Sequence, residues 1–187
     1  MRLVVWVDDL MDPDLLDLYL TPIWEKVPRF KATVYAIPNK LGPIHELRMK
    51  YPWLVFGIHG WEHTRGECGP WTEQQARDLI GKALNMGYDP LFKAPGWIHT
   101  EIVEEACREL GVVLHHHDEL KMTVPGLKVF PGNARHLVTS AKCQTLSGHF
   151  YRSGVDNFVG DHPGFDPLSM KFVDEFLTPL DLAEPLK

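Results

Sequence analysis

The sequence predicts an α/β domain on a largely parallel sheet, folded as an irregular (β/α) barrel of about seven strands. Two observations carry this reading. Short apolar, β-rich runs alternate with helix-like stretches along the 187 residues, the pattern of strand, crossover helix and parallel strand. No internal repeat, low-complexity tract or linker rich in Pro, Gly or Ser divides the chain, so a single domain over 1–187 is the simplest account of its length.

In order, the strands are expected over 3–7, 32–36, 54–58, 91–94, 112–115, 127–130 and 145–148, and the helices over 14–26, 43–50, 72–86, 101–110 and 168–177. The first strand rests on the apolar run that ends at Asp8-Asp9, and the third on the run that ends at His59. The helix over 72–86 carries its own punctuation. Thr72 with Gln75 three residues on makes a capping box, and Gly87 closes the helix. Leu110-Gly111 ends the next one in the same manner. In such folds the functional side chains gather where strands end and loops begin. Asp8, Asp9, His59, His63, Lys93 and His149 all stand at such positions.

A formal net charge of −6 argues against nucleic acid or an anionic membrane as partner, because both require a basic face. Cys68, Cys107 and Cys143 are an odd number without CxxC spacing, so neither a disulfide framework nor a thiolate zinc site is expected. No segment reaches the length of a membrane span, and the first apolar run stops at two acids, too soon for a signal-peptide core. A cytoplasmic location is therefore expected.

The chemistry lies in two short motifs. Asp8-Asp9 follows one apolar run, and His59-Gly60-Trp61-Glu62-His63 follows another, with two imidazoles four positions apart. Adjacent acids after a strand commonly form a solvated turn, and an isolated HxxxH is commonly a pair of surface histidines; their joint placement is what points to a site. One Asp and two His make a zinc set that leaves positions open for water and substrate. Asp8 then remains as a base, and hydrolysis by a metal-activated water is the leading idea.

These residues resemble the polysaccharide deacetylases, the NodB-homology or carbohydrate esterase family 4 domain. Val4-Val5-Trp6-Val7-Asp8-Asp9 looks like the first motif, usually written TFDD, and Phe30-Lys31-Ala32-Thr33-Val34-Tyr35 like the KATFF strand that follows. His59-Gly60-Trp61-Glu62-His63 is similar to the HxxxH motif, Phe92-Lys93-Ala94-Pro95-Gly96 to the RxPxG-like segment, and Leu146-Ser147-Gly148-His149 to the final histidine strand. Five motifs in order span residues 3–149, about four fifths of the chain, with 150–187 as a C-terminal tail.

The resemblance implies that Asp9, His59 and His63 hold one divalent metal ion, zinc, that Asp8 is the general base and that His149 is the general acid. It further implies that Lys93 stands beside Asp8, that the N–H of Gly96 meets the oxyanion, and that Leu146 belongs to the substrate-binding strand. The substrate is then an N-acetylated amino sugar or polysaccharide, or a small non-sugar amide. Three departures from the pattern stand out. Lys93 occupies the place of an arginine and cannot make the same planar two-pronged contact. The DxxxW segment has no match, Asp118 being the nearest acid, and Ser147 and Phe150 replace the usual leucine and acid around His149.

Among the remaining candidates, Trp61 and Trp97 lie inside or beside the motifs, where flat aromatic faces suit sugar rings or the core. His115, His116 and His117 are consecutive, so on a strand only alternate members meet one site. His45, His99, His136 and His162 read as surface or packing residues. Two other functions stay open at this point. His59 to His63 also matches HxxEH, a zinc-peptidase motif with Glu62 as base, which requires a helix, and the altered motifs also permit a non-catalytic carbohydrate-binding domain.

Overall fold

Strand β1 (Arg2–Leu10) runs inside a sheet, between neighbours on both sides, and is buried from Leu3 to Asp8. Its side chains alternate. Leu3, Val5 and Val7 enter the large core cluster, whereas Val4 and Trp6 enter a smaller one with Tyr35, Leu91, Val113 and Leu177. That period of two separates the helix-covered outer face of the sheet from the inner face of the barrel. This computed structural model describes residues 2–116, 122–123, 143–150, 171 and 173–183, and the architecture below refers to these.

The other strands are β2 (Ala32–Ala36), β3 (Leu54–Ile58), β4 (Leu91–Lys93), β5 (Val113–His115), β6 (Met122–Thr123), β7 (Cys143–His149) and β8 (Glu175–Leu177). They stand in the order β6-β5-β4-β3-β2-β1-β7, parallel except for the antiparallel β5–β6 pair. Among the described residues the sheet is open between β6 and β7. The architecture is thus the expected α/β irregular barrel. Its parallel strands put the chain's C-terminal strand ends on one rim, where Asp8, Lys93, His115 and His149 lie.

The helices are α1 (Thr21–Lys26), α2 (Pro38–Leu41), α3 (His45–Lys50), α4 (Glu73–Asn85), α5 (Glu101–Glu109) and α6 (Pro179–Ala183). The capping box at Thr72 and Gln75 is present, and Gly87 (φ 96°) and Gly111 (φ 71°) follow the ends of α4 and α5 as expected. The helix expected over 14–26 is present, with a change of hydrogen-bond pattern inside it. A π-helical turn over Leu16–Leu20 precedes α1, because Pro22 has no N–H with which to continue an i−4 ladder.

The helix expected over 168–177 is corrected at its described end. Glu175–Leu177 is strand β8, in parallel register with Arg2–Val4 of β1. Strand β2 pairs with β1 only from Trp6 onward, so that lower edge of β1 has backbone groups to satisfy, and β8 satisfies them. Phe176 and Leu177 then fall in opposite core clusters. The helical signal belongs slightly later, to α6, where the backbone N–H of Thr178 donates to Asp181 and that of Asp181 to the Thr178 hydroxyl. The strand expected over 127–130 lies outside the described residues. Among the described residues no helix is long and apolar enough to cross a membrane.

Candidate metal and catalytic site

Two strand pairings bring the motifs together. In the β1–β7 register Asp8 pairs with His149, and β3 lies next to β4, so the loop after Ile58 meets the end of β4 at Lys93. The strict alternation of β1 would send Asp8 and Asp9 to opposite faces. It is broken at this point. The β1–β2 register shifts between Val7 and Leu10, and Asp9 has φ 69°, the left-handed region. The bulge turns the Asp9 carboxylate to the same rim as Asp8.

Asp9 Oδ1 lies 2.7 Å from His63 Nε2 and 3.1 Å from His59 Nε2. One ligand atom from each residue converges within 4.8 Å of the others. His59 Nδ1–H donates to the carbonyl oxygen of Lys93 at 2.8 Å. This bond fixes the tautomer, so the Nε2 lone pair of neutral His59 faces an anionic oxygen. Asp9 Oδ1 is itself buried with no well-formed hydrogen bond among the described residues. Two acceptors so close repel each other unless a cation lies between them, and the donor set therefore fits a divalent ion such as zinc. Burial alone would raise the Asp9 pKa, but in the ion-free chain the charged forms of the two imidazoles outweigh it and hold the carboxyl well below the ordinary range. The same contact with Asp9 raises the pKa of His63.

The histidine loop is wound around a residue that sequence reasoning missed. The Glu67 carboxylate accepts the backbone N–H groups of Trp61 and His63 through Oε1 (both 3.0 Å) and of Glu62 through Oε2 (2.9 Å). His63 sits at φ 65° within this nest, and Gly60 at φ 61°. A Cβ on Gly60 would collide with Glu67 and come within 2.6 Å of Pro95, so glycine is required there by conformation and by space. Nothing in the sequence distinguishes Glu67 from an ordinary loop acid.

Asp8 is the second centre. Its Oδ2 is held by the Lys93 ammonium and lies 3.4 Å from His149 Nε2, while its Oδ1 is buried with no hydrogen-bond partner among the described residues. The Lys93 side chain is 1% exposed and the Asp8 side chain 5%, against 46% for His149. The Lys93 ammonium is lined by aromatic faces, 4.0 Å from the Trp97 ring centre, 5.2 Å from that of Tyr35 and 5.7 Å from that of Trp6. Burial pushes its pKa down, with Asp8 opposing the shift.

Gly96 and Trp97 are both in the left-handed region (φ 63° and 64°), in the tight turn after Pro95. Trp97 thereby covers Lys93 and meets His115 edge-on at 5.4 Å. Trp61 has other neighbours: its ring packs on the main core and lies under Lys82 of α4. Leu146 pairs with Val5 in the β1–β7 register. Glu62 is exposed and bound to Asn39 and Lys40. Residues 59–63 form a loop rather than a helix, so the peptidase motif lacks the geometry it requires. Asp118 and His117 lie outside the described residues.

No family profile matches the chain, and no curated protein does. Solved structures do. A CE4 esterase from Streptococcus mutans superposes with a TM-score of 0.64 at 13% identity, covering 95% of this chain and 85% of its own. The chain has the carbohydrate esterase family 4 fold. A family 4 acetyl xylan esterase from Clostridium thermocellum, solved in complex with a cobalt ion, matches at 0.58 and 16% identity over 97% of this chain and 90% of its own. A mutant CE4 pseudoenzyme with restored enzymatic activity matches at 0.61 and 11% identity over 98% of this chain and 67% of its own. The CE4 fold thus carries both active and inactive proteins, and the chemistry of this chain rests on its own side chains.

Proposed function

We propose that this CE4-fold chain is a metal-dependent hydrolase that removes N-acetyl groups from an amino sugar or its polymer. The observation that carries this reading is the pairing of the two centres: a convergent cluster of Asp9, His59 and His63 beside a buried Asp8 with one oxygen clamped and one without a hydrogen-bond partner among the described residues. Asp9, His59 and His63 would hold the ion, which supplies Lewis-acid activation of water and of the amide carbonyl.

The chain's own residues do the rest. Asp8 Oδ1 takes the proton of the attacking water, and Lys93, bound to Oδ2, keeps that free oxygen aimed into the site. Lys93 also offsets the negative charge that accumulates as two adjacent carboxylates share one rim. The N–H of Gly96 meets the developing oxyanion. His149, the more exposed of the groups around Asp8, hands a proton to the departing amine nitrogen as the carbon–nitrogen bond breaks, leaving acetate and a free amine. The exposed side of His149 is where the sugar would lie, with Trp97 as its flat neighbour.

Acetate release from a panel of N-acetylated sugar oligomers, run beside metal analysis of the same samples, tests this. Metal-dependent acetate release that Asp8→Asn abolishes supports it. A metal-loaded chain that releases acetate from none of the sugars, yet cleaves small non-sugar amides, moves the substrate class. Binding of oligomers with no cleavage of any amide makes the chain a carbohydrate-binding domain.

A further inference from the structure

Around the rim from the Asp9 cluster, the chain builds a second group of ligand-type side chains. His99 follows the Pro95–Trp97 turn, Glu104 lies in the first turns of α5, and His116 directly follows β5. His99 Nε2 is 3.2 Å from Glu104 Oε1, and the His99 and His116 rings are 5.1 Å apart at 57°. One ligand atom from each of the three lies within 4.8 Å of the others. The site shares no residue with the first. His115, next in sequence to His116, points into the barrel and is hydrogen-bonded to Tyr35 (2.7 Å), so alternation turns His116 the other way, toward α5.

We propose that His99, Glu104 and His116 form a second divalent-cation site, selective for zinc or a similar transition metal. Two imidazoles and one carboxylate are a zinc-type donor set, whereas Mg²⁺ and Ca²⁺ prefer all-oxygen sites. Tetrahedral zinc with bonds of about 2.0 to 2.1 Å places its ligands about 3.4 Å apart, and the His99–Glu104 spacing of 3.2 Å already matches one such edge. All three side chains are partly buried, which limits competition from water without closing the site to an ion.

The elements joined give the site its role. A bound ion ties the loop that carries Gly96 and Trp97 to the start of α5 and to the end of β5. It therefore acts as a positioning clamp on the turn that covers Lys93, and has no part in the reaction itself.

Equilibrium dialysis of the full chain against zinc, followed by metal analysis, tests the assignment. Two zinc ions per chain are expected for the parent. His59→Ala/His63→Ala should retain one, and adding His99→Ala/His116→Ala to that background should remove it. Glu104→Gln, on a partly exposed helix position, is the milder variant. Loss of a metal's second-shell partners costs about ten- to a hundredfold in affinity, so loss of this direct ligand should weaken zinc binding at the site by about a hundredfold or more. Circular dichroism confirms that each variant is folded. A folded His59→Ala/His63→Ala chain that holds no zinc overturns the proposal, as does zinc content unchanged by His99→Ala/His116→Ala. If the parent holds one ion that only His99→Ala/His116→Ala removes, the second site stands and the first fails.

Discussion

The backbone carbonyl of Lys93 accepts the Nδ1–H of His59 at 2.8 Å, while the Lys93 ammonium holds Asp8. One residue at the end of β4 thus sets the tautomer of a metal-ligand candidate through its main chain and the orientation of the base through its side chain. The two functions are separable by mutation.

Lys93→Met should leave the carbonyl and hence zinc binding in place, while stranding the Asp8 carboxylate in a buried, apolar box. Breaking a buried ion pair from one side costs about 3 to 5 kcal/mol. The expected outcome is a large fall in the urea midpoint with metal content retained and activity lost. An unchanged midpoint would mean that Asp8 finds another partner or is solvated.

Asp8→Asn should keep the metal and the fold and lose about a hundredfold or more of acetate release, because an amide cannot accept the water's proton. Parent-like activity would assign the base elsewhere. Glu62 is excluded by its position on Asn39 and Lys40, so the search would turn to His149.

Glu67→Ala removes the acceptor of three backbone N–H groups in the histidine loop. Without it, the left-handed backbone at Gly60 and His63 loses its support. Zinc affinity at the Asp9 cluster should drop by about ten- to a hundredfold, measured by competition with a chelating dye. The helix content should not change, since Glu67 lies in a loop.

The metal-free chain should show a pH dependence set by His63 and Asp9. The His63 pKa is raised above 6.5 by Asp9, so its contribution to stability is fully present below 6.5 and is lost as pH rises through the raised value. Asp9 is shifted the other way, below 3.8, so its contribution is lost only in strong acid. In chelator, the Tm should therefore decline as pH rises above 6.5 and through the raised His63 value, and His63→Gln should flatten that decline. With zinc the trend should reverse, because the ion needs the deprotonated imidazole and its stabilisation grows with pH. A decline that His63→Gln leaves intact would assign it to another group.

The chain alone determined the strand-helix alternation, the capping box at Thr72 and Gln75, and the five motifs in order, because these are local patterns of apolar period and residue type. It also singled out Asp8, Asp9, His59, His63, Lys93 and His149, whose positions at strand ends are enough to gather them on one rim of a parallel sheet. The third dimension decided what local pattern cannot encode. Strand β8 exists because β1 has an edge left unpaired below β2, a condition created by residues more than a hundred positions away. Asp9 joins the rim of Asp8 only through a bulge at φ 69° that the period-two reading forbids. Glu67, His99 and Glu104 look like ordinary polar residues in sequence, and the histidine tract that holds His116 names no partner there, since their partners are brought to them by packing of loop, helix and strand.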